Sequence, residues 1–228
     1  MFLHKVREVR EGKIMILILL GPPGSGKGTV AKKLHKESNL PVISTGVILR
    51  EEIEKKTDLG NRVQNVISEG MLVPDEIIME IIEARITQKD CTKGYIFDGF
   101  PRSINQAESL DKLIKKLNRT IDHVFYFDIP FEKLIERLTN RRVCNKCNTN
   151  YNLSFNNPQK DNICDVCGGE LYQREDDKEE TIKSRLEVFT KLTLPLKKFY
   201  HEKNLLTIVD ANWSRNAFIE IKKILGRF

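Results

Sequence analysis

The stretch Gly21-Pro22-Pro23-Gly24-Ser25-Gly26-Lys27-Gly28-Thr29 has the residue types and spacing that suit a polyphosphate. Such an anion needs several backbone N–H donors converging on it. Glycines let the chain turn tightly and come close, and a helix beginning just after them points its positive end at the anion. Lys27 adds a mobile charge for the β- and γ-phosphates. Thr29 adds a hydroxyl for the phosphates or for Mg²⁺. The pattern departs from G-x-x-x-x-G-K-[ST] at one place: position 28 is glycine, and the hydroxyl arrives one residue later. A ligand-free glycine turn is the plain alternative. The flanks argue against it: an apolar run at 14–20 reads as a buried strand, and Val30 to Leu34 read as the start of a helix.

Cys144, Cys147, Cys164 and Cys167 form two C-x₂-C knuckles. In a reducing compartment this spacing reads as a tetrahedral Zn²⁺ site, with two disulfides as the alternative. The polar stretch between the knuckles has little core of its own, so metal would supply the folding energy, and four thiolates leave no open position for catalysis. The zinc is expected to be structural. Gly168-Gly169 suits a zinc-ribbon turn. Cys91 stands apart and receives no role.

Asp98 ends a short apolar run, 94–97, that reads as a strand. An acid there in a phosphate-loop protein holds Mg²⁺ through water; capping a turn before Gly99 is the simpler reading. Arg102 follows just past the strand's end, where open α/β sheets carry their ligand crevice. Arg137, Arg141, Arg174 and Arg185 flank the cysteine insert. Any one arginine is most simply a solvated surface charge. Together they suit phosphoryl transfer, in which charge spreads over the transferred oxygens and planar guanidinium forks answer it.

These groups need elements to hold them. The pattern predicts strands over 14–20, 40–43, 94–97, 124–127 and 205–209. It predicts helices over 47–56 and 61–69, split at Asp58-Leu59-Gly60 and closed by Gly70. Pro74 opens another helix, with Ile77, Ile78, Ile81, Ile82 and Ile86 as a core stripe. Ser103 and Gln106 have capping-box spacing, so Gln106 either caps or reads a base edge. A helix over 130–138 precedes the cysteine insert. Asp177 and Glu180 have the spacing of a helix start, with Ile182, Leu186 and Phe189 as the buried face. Alternating strands and helices imply a mostly parallel sheet covered on both faces.

The chain has 228 residues, 40% of them hydrophobic, enough for one main core plus insertions. A net charge of +6 favours anionic partners without choosing among them. No apolar run is long enough to span a membrane. The first residues lack a signal-peptide core, so 1–14 reads as an extension and the cytoplasm is the expected location.

The motifs together resemble adenylate kinases of the long-lid, zinc-binding bacterial type. They are the glycine loop, Ser44-Thr45-Gly46 with Leu49-Arg50, Gly70-Met71-Leu72-Val73-Pro74, Asp98-Gly99-Phe100-Pro101-Arg102 with Gln106, Arg141-Arg142-Val143-Cys144, and Gln173-Arg174-Glu175-Asp176-Asp177 leading to Arg185. The resemblance covers about 15–228. It implies an α/β, P-loop NTPase-like parallel sheet with helices on both faces, plus a small helical AMP-binding insert and a zinc-ribbon lid. The core would comprise 15–43, 74–139 and 178–228, the AMP insert 44–73 and the lid 140–177. The implied reaction is reversible, Mg²⁺-dependent transfer of the ATP γ-phosphoryl group to AMP, giving two ADP, in adenine nucleotide homeostasis.

By the same resemblance, ATP would meet Gly24, Ser25, Gly26, Lys27, Gly28, Thr29, Arg137, Arg141, Asn150, Tyr151 and the backbone of Trp213. AMP would meet Thr45, Arg50, Met71, Leu72, Val73, Gly99, Phe100, Pro101, Arg102, Gln106, Arg174 and Arg185. Lys27, Arg102, Arg141, Arg174 and Arg185 would stabilise the moving phosphoryl group, with no covalent nucleophile. The partners implied are ATP, AMP and ADP, with no nucleic acid or membrane, and the chain is expected to be a monomer. Two positions depart from the family pattern. Val47 stands where an aspartate is usual, and Asp210-Ala211-Asn212-Trp213 replaces an Asp-Gly turn. A UMP/CMP kinase is the near rival, against which Thr45 and Gln106 favour adenine. A basic zinc-ribbon protein binding nucleic acid is the distant one, and it leaves the glycine loop and Asp98-Gly99-Phe100-Pro101-Arg102 unexplained.

Overall fold

The computed structural model describes residues 14–226. The expected N-terminal extension therefore lies outside the described residues, apart from Ile14, which packs against the core. The first strand, β1 (Met15–Leu20), is the middle of the sheet. Its side chains alternate between two apolar layers. Ile16, Ile18 and Leu20 enter one, and Leu17 and Leu19 the other. Burying each such side chain contributes roughly 1.5–3 kcal/mol, and a strand covered on both faces needs no polar positions.

After β1 come α1 (Lys27–Ser38), β2 (Val42–Ile43), α2 (Thr45–Glu54), α3 (Asp58–Ser68), α4 (Asp75–Ile86), β3 (Gly94–Asp98), α5 (Ile104–Lys116), β4 (His123–Asp128) and α6 (Glu132–Thr139). A small antiparallel sheet follows, made of β5 (Arg141–Cys144), β6 (Asn150–Asn152) and β7 (Leu171–Tyr172) in the order β6-β5-β7. The chain then returns through α7 (Glu179–Val188), a π-helical turn at Phe189–Thr193, α8 (Leu196–Glu202), β8 (Leu206–Asp210) and α9 (Ser214–Leu225). The main sheet runs β2-β3-β1-β4-β8, and every pairing is parallel. Residues of α4, α5 and α8 cover one face, and residues of α1 and α9 the other. The carboxyl ends of β1 and β3 thus open side by side onto one edge. Among the described residues no helix is long and apolar enough to cross a membrane.

The expected break at Asp58-Leu59-Gly60 is not a break. These residues form the first turn of α3, and the chain turns at Lys55 to Thr57. Thr57 caps the helix: its Oγ1 accepts from the Gly60 amide at 3.0 Å and donates to Glu52 Oε2 at 2.7 Å. Glycine is needed at 60 for a close approach of backbones. A Cβ there would lie 2.2 Å from the Glu52 carbonyl oxygen and 2.7 Å from the Ile53 nitrogen. Of the expected isoleucine stripe, Ile78, Ile82 and Ile86 are buried and Ile77 and Ile81 are half-buried.

Because the atoms in the way are backbone, Gly60→Ala cannot be absorbed by a rotamer change. Overpacking of this kind costs about 1–3 kcal/mol, so Tm should fall by several degrees in a thermal melt. A melt superimposable on the parent's would contradict the close crossing of α2 and α3.

Candidate functional site

The glycine loop joins the end of β1 to α1, and its backbone shows why glycine is required. Gly24 and Gly26 have φ of 82° and 89°, the left-handed region. Lys27 reaches back across the loop, donating to the carbonyls of Gly21 and Pro22 at 2.8 Å each and to Ser25 Oγ at 3.2 Å. Burial pushes its ammonium down to about 7, against the raising field of Asp98, and the arginines opposite push it further down. The three acceptors occupy all three ammonium N–H groups and oppose that fall. The glycine at 28 lies against a distant element: a Cβ there would stand 3.0 Å from Asp98 Oδ2 at the end of β3. The tip of β3 therefore approaches the first turn of α1 closely, and the hydroxyl is carried by Thr29.

A cleft of about 1200 Å³ opens over this loop. It is lined by Gly24, Gly26, Lys27, Gly28 and Thr29, by Thr45, Arg50, Met71, Leu72 and Val73, and by Asp98, Gly99, Pro101, Arg102 and Gln106. Arg141, Asn150, Tyr151 and Arg174 complete it from the small sheet and its flank, and Arg137, Arg185 and Trp213 from α6, α7 and the turn before α9. Two of the residues expected to meet a nucleotide do not line it. Ser25 is fully buried beneath the loop. Phe100 is buried in the core, with its ring edge-on to Phe97 at 5.3 Å.

Positive charge dominates the cleft. Arg102 is held by its Nε donating to the Gly99 carbonyl at 2.9 Å, and its own carbonyl accepts from Thr193 Oγ1 at 2.7 Å. Thr193 sits in the π-helical turn after α7. Burial pushes the Arg102 guanidinium down to about 10, and Arg185 and Arg50 push the same way. Arg174 is held well below its ordinary range by burial and by Arg141 and Arg50. Its Nε is buried without a hydrogen-bond partner.

Two carboxylates hold this cluster together. Asp177, fully buried, takes both Nε and Nη2 of Arg141 at 2.7 and 2.5 Å, and Arg185 at 2.8 Å. Asp176 pairs with Arg185 at 3.2 Å and Arg50 at 3.8 Å. Burial pushes its carboxyl up, but Arg185, Arg50, Arg141 and Arg174 together bring it below the usual range. The helix-start spacing of Asp177 and Glu180 is misleading for this residue. Lys178 precedes α7, and Asp177 is turned inward to the arginines. Its tertiary role leaves no local signature.

Gln106 makes only half a capping box. Its backbone N–H donates to Ser103 Oγ at 3.1 Å, while its carboxamide bonds Asp75 and the Arg102 backbone instead. Trp213 lines the cleft and meets Phe155 of the small-sheet segment edge-on at 6.0 Å. Arg137 lies 5.7 Å from the same Phe155 ring and donates to the carbonyls of Ala211 and Asn212. Phe155 carries no signal in the sequence, because a lone aromatic in a polar loop has no period. Tyr151 lies against the second knuckle, its hydroxyl accepting from the Asp165 amide at 2.8 Å and standing 3.5 Å from Cys164 Sγ.

The four knuckle cysteines are free thiols whose sulfurs all lie within 4.8 Å of one another. Cys144 and Cys167 are 3.4 Å apart, and Cys147 and Cys164 3.6 Å. Thiolates around one zinc at about 2.3 Å would be spaced by about 3.8 Å. The set therefore fits a tetrahedral ion. Gly169 is part of that fit, since a Cβ there would lie 2.8 Å from Cys144 Sγ.

A protein-family model described as adenylate kinase matches residues 19–205. The chain is 50% identical over 194 residues to an adenylate kinase of Caldicellulosiruptor bescii, covering 85% of this chain and 90% of that protein. It is 48% identical over 214 residues to one of Archaeoglobus fulgidus, covering 93% and 99% of the two chains. It is 46% identical over 213 residues to one of Bacillus licheniformis, covering 93% and 98%. With this fold, this loop and this cleft, the chain belongs to the adenylate kinase family.

Proposed function

We propose that the chain transfers the γ-phosphoryl group of ATP to AMP, reversibly, giving two ADP. The observation that carries the reading is the convergence of Lys27, Arg102, Arg141, Arg174 and Arg185 on one cleft beside a phosphate loop. An oxygen of the AMP phosphate attacks the γ-phosphorus, and the bond to the β–γ bridging oxygen breaks. No side chain needs to act as a nucleophile. Residues 24–29 cradle the ATP phosphates, and Arg137, Asn150, Tyr151 and Trp213 face the donor's base. Thr45, Arg50, the 71–73 backbone, Gly99, Arg102 and Gln106 hold AMP. The partnerless Nε of Arg174 supports a place for that side chain between the two nucleotides, where phosphate oxygens would satisfy it.

Thr29 and Asp98 offer the hard oxygen donors that Mg²⁺ prefers, directly or through water, and both line the cleft. Held there by Thr29 and Asp98, the ion would supply positive charge that offsets the phosphates. In this reading residues 44–73 form an AMP-binding insert, and 140–177 a lid stiffened by zinc at Cys144, Cys147, Cys164 and Cys167. The two close to exclude water, a motion for which adenylate kinases are themselves a standing example. The chain would act as a monomer in the cytoplasm.

A coupled assay with MgATP and each of AMP, UMP, CMP and GMP tests the reading. ADP should form rapidly with AMP and slowly with the others. Preference for UMP or CMP would overturn the acceptor assignment, and slow ATP loss without acceptor dependence would overturn the transfer itself.

The depressed Lys27 pKa has a consequence of definite sign. A bound triphosphate returns the ammonium toward its ordinary value, so binding takes up a proton between about pH 7 and 10, and affinity falls as pH rises through that window. Calorimetry at pH 9 in two buffers of different ionisation enthalpy should record uptake of most of a proton with MgATP. Zero uptake would contradict the role given to Lys27.

Cys144→Ser removes one thiolate from the knuckles. Tm should drop by more than the loss of activity at moderate temperature would suggest, and the metal content should fall in step. Equal melting curves for variant and parent would end the structural role of the metal.

A further inference from the structure

Gln106 as a residue is 2% exposed at the wall of the cleft, and its carboxamide is fixed from behind by two partners of opposite character. Nε2 donates to Asp75 Oδ1 at 2.7 Å, and Oε1 accepts from the Arg102 backbone N–H at 2.8 Å. Neither partner can change sides. A carboxylate only accepts, and a backbone N–H only donates. Turning the carboxamide over would set its oxygen against a carboxylate and its NH₂ against an N–H. One orientation is therefore imposed, and it leaves one N–H and one oxygen lone pair for a ligand.

Asp75 opens α4, directly after the 71–74 segment, and does not itself line the cleft. Its ordinary reading is an acid in the first turn of a helix, favoured by the dipole. That reading does not account for a bond to a residue 31 positions away whose side chain is buried. We propose that Asp75 is a specificity-determining positioning residue: it locks the Gln106 carboxamide in the orientation that accepts 6-aminopurine and refuses 6-oxopurine. The inference rests on the proposed function, in which Gln106 meets the acceptor's base.

The chemistry follows from the edges. Adenine offers a ring nitrogen that accepts and an exocyclic amino group that donates. Hypoxanthine and guanine offer a ring N–H and an exocyclic oxygen, the same positions with the roles exchanged. A carboxamide that could turn over would serve both. With Asp75 behind it, turning over loses a charge-assisted bond and sets like against like. The lock thus acts through Gln106, on the acceptor alone, and leaves the donor nucleotide and the phosphates untouched.

The test is Asp75→Asn, a change of nearly equal size, assayed with MgATP and either AMP or IMP as acceptor. An asparagine can rotate to present either an acceptor or a donor, so one of the two constraints on the carboxamide is lifted and only the Arg102 N–H still opposes a turn. KM for AMP should rise about fivefold, as exchanging a bond to a charged group for one to a neutral group implies. The ratio of kcat/KM for AMP to that for IMP should fall by a similar factor. KM for ATP and kcat at saturating AMP should stay at the parent's values. A folding defect lowers the active fraction for both acceptors equally and leaves the ratio alone, so the ratio decides even if the variant melts early. An unchanged AMP to IMP ratio in Asp75→Asn overturns the proposal. Gln106→Ala, run beside it, separates the two failures. If Gln106→Ala collapses the ratio while Asp75→Asn does not, only the lock is wrong. If neither variant moves the ratio, the base does not meet Gln106 and both readings fall.

Discussion

Like charges crowded in a poorly solvated cleft repel, and this protein has gathered Lys27, Arg50, Arg102, Arg141, Arg174 and Arg185 around one space. Asp98, Asp176 and Asp177 are the carboxylates set among them, and Asp177 alone holds two of the arginines. Removing one partner of so buried a pair leaves a charge without compensation, at a cost of about 3–5 kcal/mol. Burial chiefly, and the neighbouring cations in addition, depress Lys27, Arg102 and Arg174. A site arranged in this way stores repulsion that a polyanion relieves. Binding energy is thus directed at the phosphates, where charge is redistributed during transfer.

That constraint also explains how the parts meet. Asp176 and Asp177 lie in the 3₁₀ turn that joins the small sheet to α7. Through Arg141 they fix the start of the small sheet, through Arg185 α7, and through Arg50 α2, which leads into α3. The end of α3 rests on α7 as well: Ser184 Oγ donates to the Glu69 carbonyl at 3.0 Å, and a Cβ at Gly70 would strike Arg185 Cγ at 2.6 Å. On the other side, Lys32 of α1 donates to the Asn148 carbonyl at 2.5 Å, beside the first cysteine knuckle. Under the proposed lid and insert closure, pieces that share a few charged contacts across one cleft would respond together when phosphates take those contacts over. The cysteine knuckles lie outside this exchange, and in the proposed reading they would keep the small sheet rigid as it moves.

Features written in local chemistry are legible in the sequence. The glycine loop, the paired C-x₂-C knuckles and the buried strands depend on residue type and short spacing, and the chain order of strand and helix implies the parallel sheet. Features written in tertiary contact are not legible in this way. Gly60 reads as a breaker in sequence, yet it stands within α3 because another helix backbone passes there. Asp177 has the spacing of a cap but serves Arg141 and Arg185, and Asp75 resembles any acid at a helix start. The departure at Gly28 is visible as a pattern, but its cause, the Asp98 carboxylate, lies on another strand. Phe155 and Trp213 are brought together only by the fold.

The central claim is that the cleft's cations repel one another and that a polyphosphate relieves them. It is tested most directly by melting the protein in inorganic tripolyphosphate and, at matched ionic strength, in sodium chloride. The account predicts a rise in Tm of several degrees with tripolyphosphate beyond anything chloride gives, since a ligand of the folded state alone stabilises by mass action. Superimposable melts in the two salts would contradict it.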